Sequence, residues 1–419
     1  MREKKESGLP WIGPIPSDWD VVKFKHVFAP RNDRNPGDAI VLSLYREHGI
    51  VPKDSRDDNH NVTSLDTSKY RFVRIGDFVV NKMKAWQGST AVSDYEGVVS
   101  PAYYVYEFRD QKTCRRYFHY LLRSRAYAQQ FALLSGGIRE GQWDLPADAL
   151  YNIGIPVPSP NEQSRIATFL DDRCAKIDEA IARHQSMIEK LDEYRKAIIT
   201  KAVTKGISEE KEMKATGCGW LQKIPKEWSF ERTKFHFSNH KIVVGESASE
   251  YDRLALTLDG VIKRDKDDTD GLQPKDFIGY QLLRKDELVF KLIDLENVST
   301  SRVGYSPYEG IVSPAYIILE KKNGVFPRYA EYYFLSLWMR EIFNQLGDSG
   351  VRSSLNSKDL LELPIAFPNI DEQKAIVETL DAQCKAIVSA KERHTQLIAK
   401  LEEYKKSVIY NAVTGKIEC

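Results

Sequence analysis

Short loops rich in lysine, arginine, asparagine, glutamine and tryptophan are the parts of this chain whose side chains could do specific chemistry. They fall into two groups, one in each half of the 419 residues. The first group is Lys82, Lys84, Trp86, Gln87, Arg139 and Gln142, and the second is Lys291, Asn297, Arg302, Arg352 and Asn356. Amide and guanidinium groups hydrogen-bond to base edges, and Lys and Arg bind phosphates. The two groups therefore indicate two nucleic-acid contacts, while an ordinary solvated loop explains any single residue equally well.

The motifs of an enzyme do not accompany these loops. The sequence contains no GxGxxG, GxSxG, HExxH or DPPY/NPPY motif, and Thr414-Gly415-Lys416 lacks the upstream glycine of a phosphate-binding loop. The five cysteines form no CxxC pair, and the eight histidines are scattered. His184 and His394 are interpreted as polar positions in helix packing. We therefore expect no catalytic residue, no metal site and no cofactor in this chain.

A long repeated stretch must position the two groups of loops. Residues 162–204 return as residues 372–414 without a gap. Both copies keep Glu-Gln, Leu-Asp, Cys, Arg-His, Lys-Leu, Glu-Tyr and Ala-Val-Thr at matching places. A fixed internal period of this kind indicates a duplicated architecture.

Each copy has the pattern of a long helix that packs against a partner helix. Apolar residues recur at alternating steps of three and four, as at the a and d positions of a coiled coil, with interruptions at Arg195, Lys391 and Lys405. The expected packing positions are Leu170, Cys174, Ile177, Ile181, His184, Ile188, Leu191 and Ile198 in the first copy, and Leu380, Cys384, Ile387, His394, Ile398, Leu401 and Val408 in the second. At about 1.5 Å per residue, each helix is a rod on the order of 60 Å long. Because the register is shared, we expect the two rods to pack against each other.

Both predicted helices have recognisable ends. Ser159-Pro160-Asn161-Glu162 fits a capping box with proline at the first helical position, and Asn369 with Glu372 repeats the arrangement. Gly206 and Gly415 stand where each helix is expected to stop. The charged segment 205–217 between the two halves is interpreted as a linker or loop.

The duplication extends to the globular regions that precede the helices. The phrase W-[IL]-x-x-I-P-x-[DE]-W opens both regions, and short strand-like runs and a helical stretch follow in the same order. The matched segments are 11–19 with 220–228, 77–80 with 286–289, 95–103 with 308–316, 115–134 with 328–346, and 137–139 with 350–352. In this alignment Lys291 corresponds to Lys82.

These patterns predict an α+β protein with a pseudo-twofold internal repeat. Two similar mixed α/β domains are separated by two long helices, which are expected to pair as an antiparallel coiled coil. The expected boundaries are a first globular domain with the N-terminal segment at 1–158, a first helix at 159–206, a linker and second globular domain at 207–368, and a second helix with a tail at 369–419.

Bulk composition limits the class of protein. Hydrophobic residues make up 42% of the chain and aromatic residues 11%, which is enough for packed cores. No run of eighteen apolar residues occurs, and residues 1–13 have no apolar signal core, so we expect a cytoplasmic protein without membrane contact. The net charge of +1 is unusual for a dedicated nucleic-acid binder. Either the chain binds no nucleic acid, or its basic groups are local and partners supply the rest.

The duplicated order resembles the specificity subunit of type I restriction-modification systems over nearly the whole chain. The Ile155-Pro156-Val157-Pro158 segment before Glu-Gln, the WxxxIPxxW phrase before each globular unit, and two domains with paired helices carry this resemblance. It implies two target recognition domains that each read one half of a bipartite site in double-stranded DNA. It also implies helices that set the gap and two docked DNA adenine methyltransferase subunits, with a restriction motor-nuclease as an optional further partner. Catalysis would then belong to the partners.

Two other classes of function remain to be distinguished from this one. A cytosolic coiled-coil adaptor, whose globular repeats bind protein, would show no sequence preference and no steep salt dependence on DNA. A stand-alone methyltransferase or nuclease is disfavoured because its motifs are missing. We expect the individual DNA contacts to lie among the loop residues given above, on residue type and loop position alone.

Overall fold

The computed structural model describes residues 2–46, 48–55, 66–137, 143–208, 211–258, 260–266, 276–293, 295, 302–322, 324–346 and 354–419. Within these ranges the chain forms two compact units. Unit 1 contains residues 1–185 together with 395–419, and unit 2 contains residues 186–394. Each unit therefore combines a globular region with a part of both long helices.

Unit 1 begins with short strands and small helices and continues into the first long helix. Its strands are β1 Lys4–Glu6, β2 Pro14–Pro16, β3 Asp20–Lys23, β4 Phe28–Pro30, β5 Leu42–Tyr45, β6 Gly49–Pro52, β7 Arg71–Val73, β8 Phe78–Asn81, β9 Thr90–Val92, β10 Gly97–Val99, β11 Tyr103–Phe108 and β12 Gly154–Val157. Its helices are α1 Phe24–Val27, α2 Arg115–Arg123, α3 Arg125–Leu134 and α4 Ala147–Asn152, followed by α5 Pro160–Lys205.

Unit 2 repeats this order of elements. Its strands are β13 Met213–Cys218, β14 Leu221–Pro225, β15 Ser229–Arg232, β16 Phe237–His240, β17 Arg253–Thr257, β18 Gly260–Arg264, β19 Gln281–Leu283, β20 Leu288–Phe290, β21 Val303–Tyr305, β22 Gly310–Val312, β23 Ile317–Lys321 and β24 Pro364–Phe367. Its helices are α6 Pro327–Met339, α7 Ile342–Leu346 and α8 Ser357–Glu362, followed by α9 Ile370–Val413. The predicted α+β class with a duplicated plan is confirmed.

The central sheet has the same strand order in both units. Unit 1 has β4-β11-β8-β9 and unit 2 has β16-β23-β20-β21, with every neighbouring pair antiparallel. The middle strands β8 and β20 are buried at every position because helices cover one face and further strands the other. The loops that leave β8 and β20 therefore emerge from equivalent, rigidly held positions.

A buried tryptophan joins each opening phrase to the core of its unit. Trp19 and Trp228 are each 1% exposed. Trp19 packs edge-on against Tyr117 at 6.4 Å, and Trp228 packs edge-on against Tyr329 at 6.5 Å. The WxxxIPxxW phrase thus closes the same side of each hydrophobic core.

The two long helices run antiparallel inside each unit. In unit 1 the Lys405 ammonium of α9 lies 2.7 Å from the Asp178 carboxylate of α5, and Val413 at the end of α9 accepts a hydrogen bond from Tyr117 beside the start of α5. In unit 2 Lys391 lies 2.6 Å from Asp192. Both lysines interrupt the apolar pattern, and each is accommodated by a carboxylate on the opposite helix.

Burial of the expected packing positions follows their place along the helices. The positions near the globular regions are mostly buried, and those in the middle are half-buried because only one partner helix covers them. Ile198 is the exception, since it is half-buried at the edge of the unit 2 core. The buried set is Leu170, Cys174, Ile177, Leu380, Cys384, Ile387 and Val408, and the half-buried set is Ile181, His184, Ile188, Leu191, Ile198, His394, Ile398 and Leu401.

The helix ends agree with the predicted caps in part. The Asn369 side chain accepts the Glu372 amide at 2.9 Å, and Ser159 accepts the Glu162 amide at 3.4 Å. The reciprocal half of the capping box is absent in both, because Glu162 bonds to Arg2 and Glu372 to Lys211 instead. Gly206 and Gly415 follow the helices at φ values of 82° and 66°, which favour glycine.

Three sequence-based segments are corrected by the structure. The helical stretch 115–134 is two helices, because Ser124 is extended between them at φ −61° and ψ 153°. The strand-like run at 98–106, which the sequence shows interrupted by Pro101, is two strands separated by a turn at Pro101 and Ala102. The segment 205–217 is not wholly a loop, since β13 begins at Met213 and pairs with β14. Among the described helices none is long and apolar enough to span a membrane.

Candidate nucleic-acid interface

The described residues of the first group, Lys82, Lys84, Trp86 and Gln87, lie where the chain leaves β8. The Lys82 carbonyl accepts the Leu145 amide at 3.0 Å, and the Lys82 ammonium lies 3.1 Å from the Asp144 carboxylate. Gly136 and Asp144 exchange two backbone hydrogen bonds, of 3.1 and 2.9 Å. The chain on both sides of residues 138–142 is thereby tied to the loop that carries Lys82.

Two indoles lie beside Lys82. Trp86 and Trp143 are both half-buried and pack with ring centroids 5.4 Å apart at 60°. The Trp86 Nε1 donates to the Met83 carbonyl at 3.1 Å, so its ring is held in place. Lys84 and Gln87 are exposed on either side of Trp86. This surface offers two aromatic rings, an exposed amide and a cation, which come from the loop after β8 and from the segment before α4.

The charges on this surface are balanced locally. Lys82 is paired with Asp144, whereas no ion pair involves Lys84 within the described part of the chain. Burial, and after it the Asp144 carboxylate, raises the pKa of Tyr104, although the charges of Lys82 and Arg71 act against this rise. The Tyr104 phenol therefore stays protonated and donates to the Leu145 carbonyl at 3.2 Å. Lys84 is thus an exposed cation beside Trp86.

The described residues of the second group lie at or beside the equivalent loop of unit 2. The Leu292 carbonyl accepts the Leu355 amide at 2.9 Å, as Lys82 accepts Leu145 in unit 1. Ile293 and Ser354 form an isolated β-bridge. The loop after β20 and the segment before α8 therefore meet, as the loop after β8 and the segment before α4 do in unit 1.

This geometry corrects the sequence alignment of the two loops by one residue. The Asp77 carboxylate accepts the Arg74 amide at 2.9 Å, and the Glu287 carboxylate accepts the Arg284 amide at 2.7 Å. Glu287, and not Asp286, is thus the counterpart of Asp77. It follows that Lys291 corresponds to Asn81, and that the counterpart of Lys82 is the buried Leu292.

Three residues of the second group have defined positions. Lys291 is half-buried and its amide donates to the Arg302 carbonyl at 3.0 Å. Arg302 is 0% exposed, and its Nη1 donates to the Ile293 carbonyl at 3.3 Å. Asn356 is exposed, but its side-chain oxygen caps α8 by accepting the Lys358 and Asp359 amides at 2.8 and 3.0 Å. In this conformation Arg302 supports the loop from inside, and Asn356 holds a helix end.

Four expected contact residues lie outside the described residues. They are Arg139, Gln142, Asn297 and Arg352. Gly136 and Asp144, which flank residues 138–142, pair with each other, and Asp144 and Leu145 bind the loop after β8. Ser354 and Leu355, which follow residues 347–353, pair with the loop after β20.

The sequence places Trp143 at the end of the divergent loop 139–143 but not among the expected contacts, and it does not single out Asp144. Both follow the expected contact Gln142 directly, so their position was a usable signal. Their partners Trp86 and Lys82 lie on another loop, and only the fold brings these side chains together.

A charged cluster behind β8 was also missed. The Arg31 guanidinium lies 2.8 Å from Asp77 and 2.7 Å from Glu107. Burial raises the pKa of Asp77, although the amide of Arg74 and the charge of Arg31 act against this rise. The cluster ties the edge strand β4 to the middle strands of the sheet.

Comparisons with known proteins agree on one family. Residues 16–189 and 267–402, more than half of the chain, match the family model described as type I restriction modification DNA specificity domain. The putative type I restriction enzyme MjaX specificity subunit of Methanocaldococcus jannaschii is 24% identical over 97% of this chain and 95% of its own length. The MjaVIII specificity subunit of the same organism is 23% identical over 96% of this chain and 94% of its own length.

Solved structures share the fold. A structure described under complex assembly and conformational transition of the type I R-M system has a TM-score of 0.69 at 14% identity, and covers 96% of this chain and 99% of its own. The HsdS subunit from Thermoanaerobacter tengcongensis has a TM-score of 0.52 at 15% identity, and covers 96% and 98%.

A duplicated α+β fold with paired long helices is shared by this chain and these solved structures. The chain belongs to the type I restriction modification DNA specificity domain family. It is a DNA sequence-recognition subunit, and the adaptor alternative is not supported. Specificity subunits of these systems are non-catalytic, and catalysis lies in the partner methyltransferase and restriction subunits.

Proposed function

We propose that each unit reads one half of a bipartite DNA site through the loop after its middle strand. The observation that carries this proposal is that the same loop surface is built twice on the same scaffold, with different side chains. Lys82, Trp86 and Trp143 in unit 1 correspond in position to a differently composed surface around Leu292 and Asn356 in unit 2. Two surfaces with one geometry and two compositions suit two different short sequences.

Within unit 1, different side chains perform different parts of the recognition. Lys84 neutralises a phosphate, because it is exposed and has no ion pair among the described residues. Gln87 reads a base edge from the same turn. Trp86 and Trp143 form an apolar wall that positions the loop in a groove, and Lys82 exchanges Asp144 for a phosphate on binding.

The partners of the proposed complex are double-stranded DNA, two adenine methyltransferase subunits and, where restriction occurs, a motor-nuclease. Support for two copies of one partner comes from repeated exposed apolar side chains on the long helices. Met187 and Tyr194 in unit 2 match Leu397 and Tyr404 in unit 1, and all four are between 42% and 54% exposed. An apolar pair shown twice fits one docking contact for each methyltransferase.

The test is to express the chain with its methyltransferase subunits and to map methylated adenines across a genome. We expect one consensus with two specified halves and a fixed gap. The triple variant Lys84→Ala, Trp86→Ala and Gln87→Ala should relax or change one half and leave the other half intact. A matched triple replacement of exposed residues on α5, Lys176→Ala, Glu179→Ala and Arg183→Ala, should change neither half.

Two outcomes would contradict the proposal. Methylation without a split consensus would remove the bipartite role. Loss of both halves in the loop variant, with unchanged assembly, would show that the loop does not belong to one half-site. For the docking contacts, Tyr194→Glu and Tyr404→Glu should each remove one methyltransferase from the complex in a mass measurement, and the double variant should remove both.

A further inference from the structure

Both units contain a cluster of three side chains at the same place in the sheet. In unit 1 the cluster is Arg31, Asp77 and Glu107. The register of the strands gives the equivalents in unit 2. Ala29 pairs with Glu107 in unit 1, and Ser238 pairs with Glu320 in unit 2. Two residues after these strand positions come Arg31 and His240, so His240 is the equivalent of Arg31. Glu287 corresponds to Asp77, as the shared hydrogen bond to the preceding loop shows.

The cluster in unit 1 holds a cation supplied by the chain. The Arg31 guanidinium lies among carboxylates, at 2.8 Å from Asp77, 2.7 Å from Glu107 and 3.4 Å from the exposed Asp33. Asp77 is 4% exposed, so its charge is costly without a nearby cation. Arg31 therefore offsets charge that the fold itself buries.

The cluster in unit 2 keeps both carboxylates and loses the guanidinium. Glu287 is 4% exposed, and its Oε1 lies 2.7 Å from the His240 Nε2. Ligand atoms of His240, Glu287 and Glu320 all lie within 4.8 Å of one another. The imidazole of His240 is shorter than an arginine side chain and lacks the permanent charge of a guanidinium. Two carboxylates thus share a position at which unit 1 has a full positive charge.

We propose that His240, Glu287 and Glu320 bind a divalent metal ion at the position that the Arg31 guanidinium takes in unit 1. One imidazole nitrogen and two carboxylate oxygens suit Mn²⁺, Zn²⁺ and related ions. Since Glu320 is exposed and Glu287 is buried, the ion would be bound from inside by one carboxylate and remain open to water on the other side. It would tie together β16, β20 and β23, as Arg31 ties β4, β8 and β11.

The sequence gives no sign of this site, because the three ligands come from three separate strands or strand ends without metal-ligand spacing. The expectation of no metal in the chain rested on that missing spacing. The site is structural and separate from the loops proposed to read DNA, so its test does not depend on the DNA-binding role.

The test uses the full chain, freed of metal with a chelator and titrated with Mn²⁺. Mn²⁺ is the suitable probe because the chain has five free cysteines among its described residues, and thiolates favour softer ions. The paramagnetic resonance signal of free Mn²⁺ gives the bound fraction. We expect about one ion per chain, the number that one set of three ligands holds, and a higher melting temperature with Mn²⁺ than with chelator.

Two variants and one control make the result specific. His240→Arg restores the guanidinium of unit 1, so it should lose at least tenfold in Mn²⁺ affinity and melt in chelator at or above the wild-type temperature. Glu320→Gln removes an exposed ligand and should weaken binding by a similar factor. The control is His236→Gln, because His236 lies 2.9 Å from Glu231 in the same unit but belongs to no group of three ligands. It should bind Mn²⁺ as the wild type does.

Several results would overturn the proposal. Wild-type Mn²⁺ binding that persists in His240→Arg would place the ion elsewhere. A wild-type chain that binds no Mn²⁺ at millimolar concentration would show that no divalent site exists here. A third contradicting result would be a wild-type melting temperature that does not change with Mn²⁺ but rises on acidification. If the melting temperature of His240→Arg did not rise in the same way, the position would be assigned to a protonated histidine instead.

Discussion

His119 is a half-buried histidine whose surroundings hold it neutral. Its Nδ1 accepts the Val92 amide at 3.4 Å, and Arg123 and Arg116 lie nearby. Burial, followed by these two positive charges, lowers the pKa of His119 to about 3 from 6.5. An unfolded chain therefore takes up a proton below pH 6.5 that the folded chain does not. The stability contribution is present above pH 6.5 and is lost as the pH falls towards 3.

We expect the free energy of unfolding to fall between pH 7 and pH 5.5, at up to about 1.4 kcal/mol per pH unit from this group. Urea unfolding at several pH values measures this slope. His119→Gln keeps an acceptor for the Val92 amide but cannot titrate, so its slope should be smaller. Buried carboxyls such as Glu331, whose pKa is raised by burial, act in the opposite direction at lower pH. An unchanged slope in His119→Gln would contradict the assignment.

Arg302 gives a second prediction at the scale of one residue. Its side chain is fully buried and donates to the Ile293 carbonyl, so Arg302→Ser should destabilise the protein by about 2–4 kcal/mol through lost packing and a lost hydrogen bond. Serine is the residue at the equivalent position in unit 1, Ser89, as matching backbone hydrogen bonds show. Chemical unfolding of the chain measures the loss.

The exposed Lys84→Gln is the matched comparison. It should leave stability unchanged and reduce the salt slope of DNA binding by about one counterion. If Arg302→Ser instead weakened DNA binding at unchanged stability, the original expectation that Arg302 contacts DNA would be the better one.

At the scale of elements, the ion pairs between the long helices can be measured one at a time. Asp178→Val is compatible with the helix because Val388 occupies the matching position in the other copy. It leaves Lys405 without its 2.7 Å partner and should cost about 0.5–1 kcal/mol. This value is small because the Asp178 side chain is 56% exposed and therefore screened by water.

A double-mutant cycle with Lys405→Leu isolates the pair. The double variant should recover most of the loss, since leucine restores the interrupted apolar pattern. Asp172→Ala, which breaks the exposed pair with Lys176 on the same helix, should cost no more than about 0.5 kcal/mol. A coupling energy near zero between Asp178 and Lys405 would show that the pair does not stabilise the helix contact.

The elements were predictable from the sequence where the signal was local or repeated. Helices α5 and α9 follow from their apolar period and from Gly206 and Gly415. The break at Ser124 was not predictable, because the apolar residues on both sides of it continue one helical pattern. From the sequence, Lys391 and Lys405 only interrupt the apolar pattern of α9. Their role in pairing the helices was not predictable, because their carboxylate partners lie on α5.

The candidate site was predictable only in outline. Residue type singled out Lys82 and Trp86, but their partners Asp144 and Trp143 come from a distant segment. The alignment that paired Lys291 with Lys82 was wrong by one residue because it matched Asp286 to Asp77 by residue type. The hydrogen bond that Asp77 accepts from the preceding loop is instead repeated by Glu287. The sequence alone does not show that Arg302 is buried, so its residue type predicts a surface contact.

At the scale of the whole molecule, the proposed function makes the helices a ruler for the two half-sites. Removing residues 181–187 together with residues 396–402 takes seven residues from both helices between the two ion pairs and keeps their register. The shortening is about 10 Å, which corresponds to roughly three base pairs of gap. Methylation mapping should show both half-sites unchanged and a shorter gap.

Removing residues 181–187 alone is the control for that deletion. It mismatches the two helices and should reduce assembly with the methyltransferases instead of giving a new gap. An unchanged gap in the paired deletion, with assembly intact, would mean that the helix length does not set the spacing.

The composition of unit 1 has a consequence for how the protein is made. Residues 1–185 need residues 395–419 to complete their core, in which Val408, Ala412 and Val413 are buried. Residues 186–394 form a continuous segment. During translation, unit 1 therefore cannot complete its core until residues 395–419 have been synthesised, after the whole of unit 2. Part of its apolar surface stays exposed during that time. Chaperone dependence during synthesis should accordingly be greatest for unit 1.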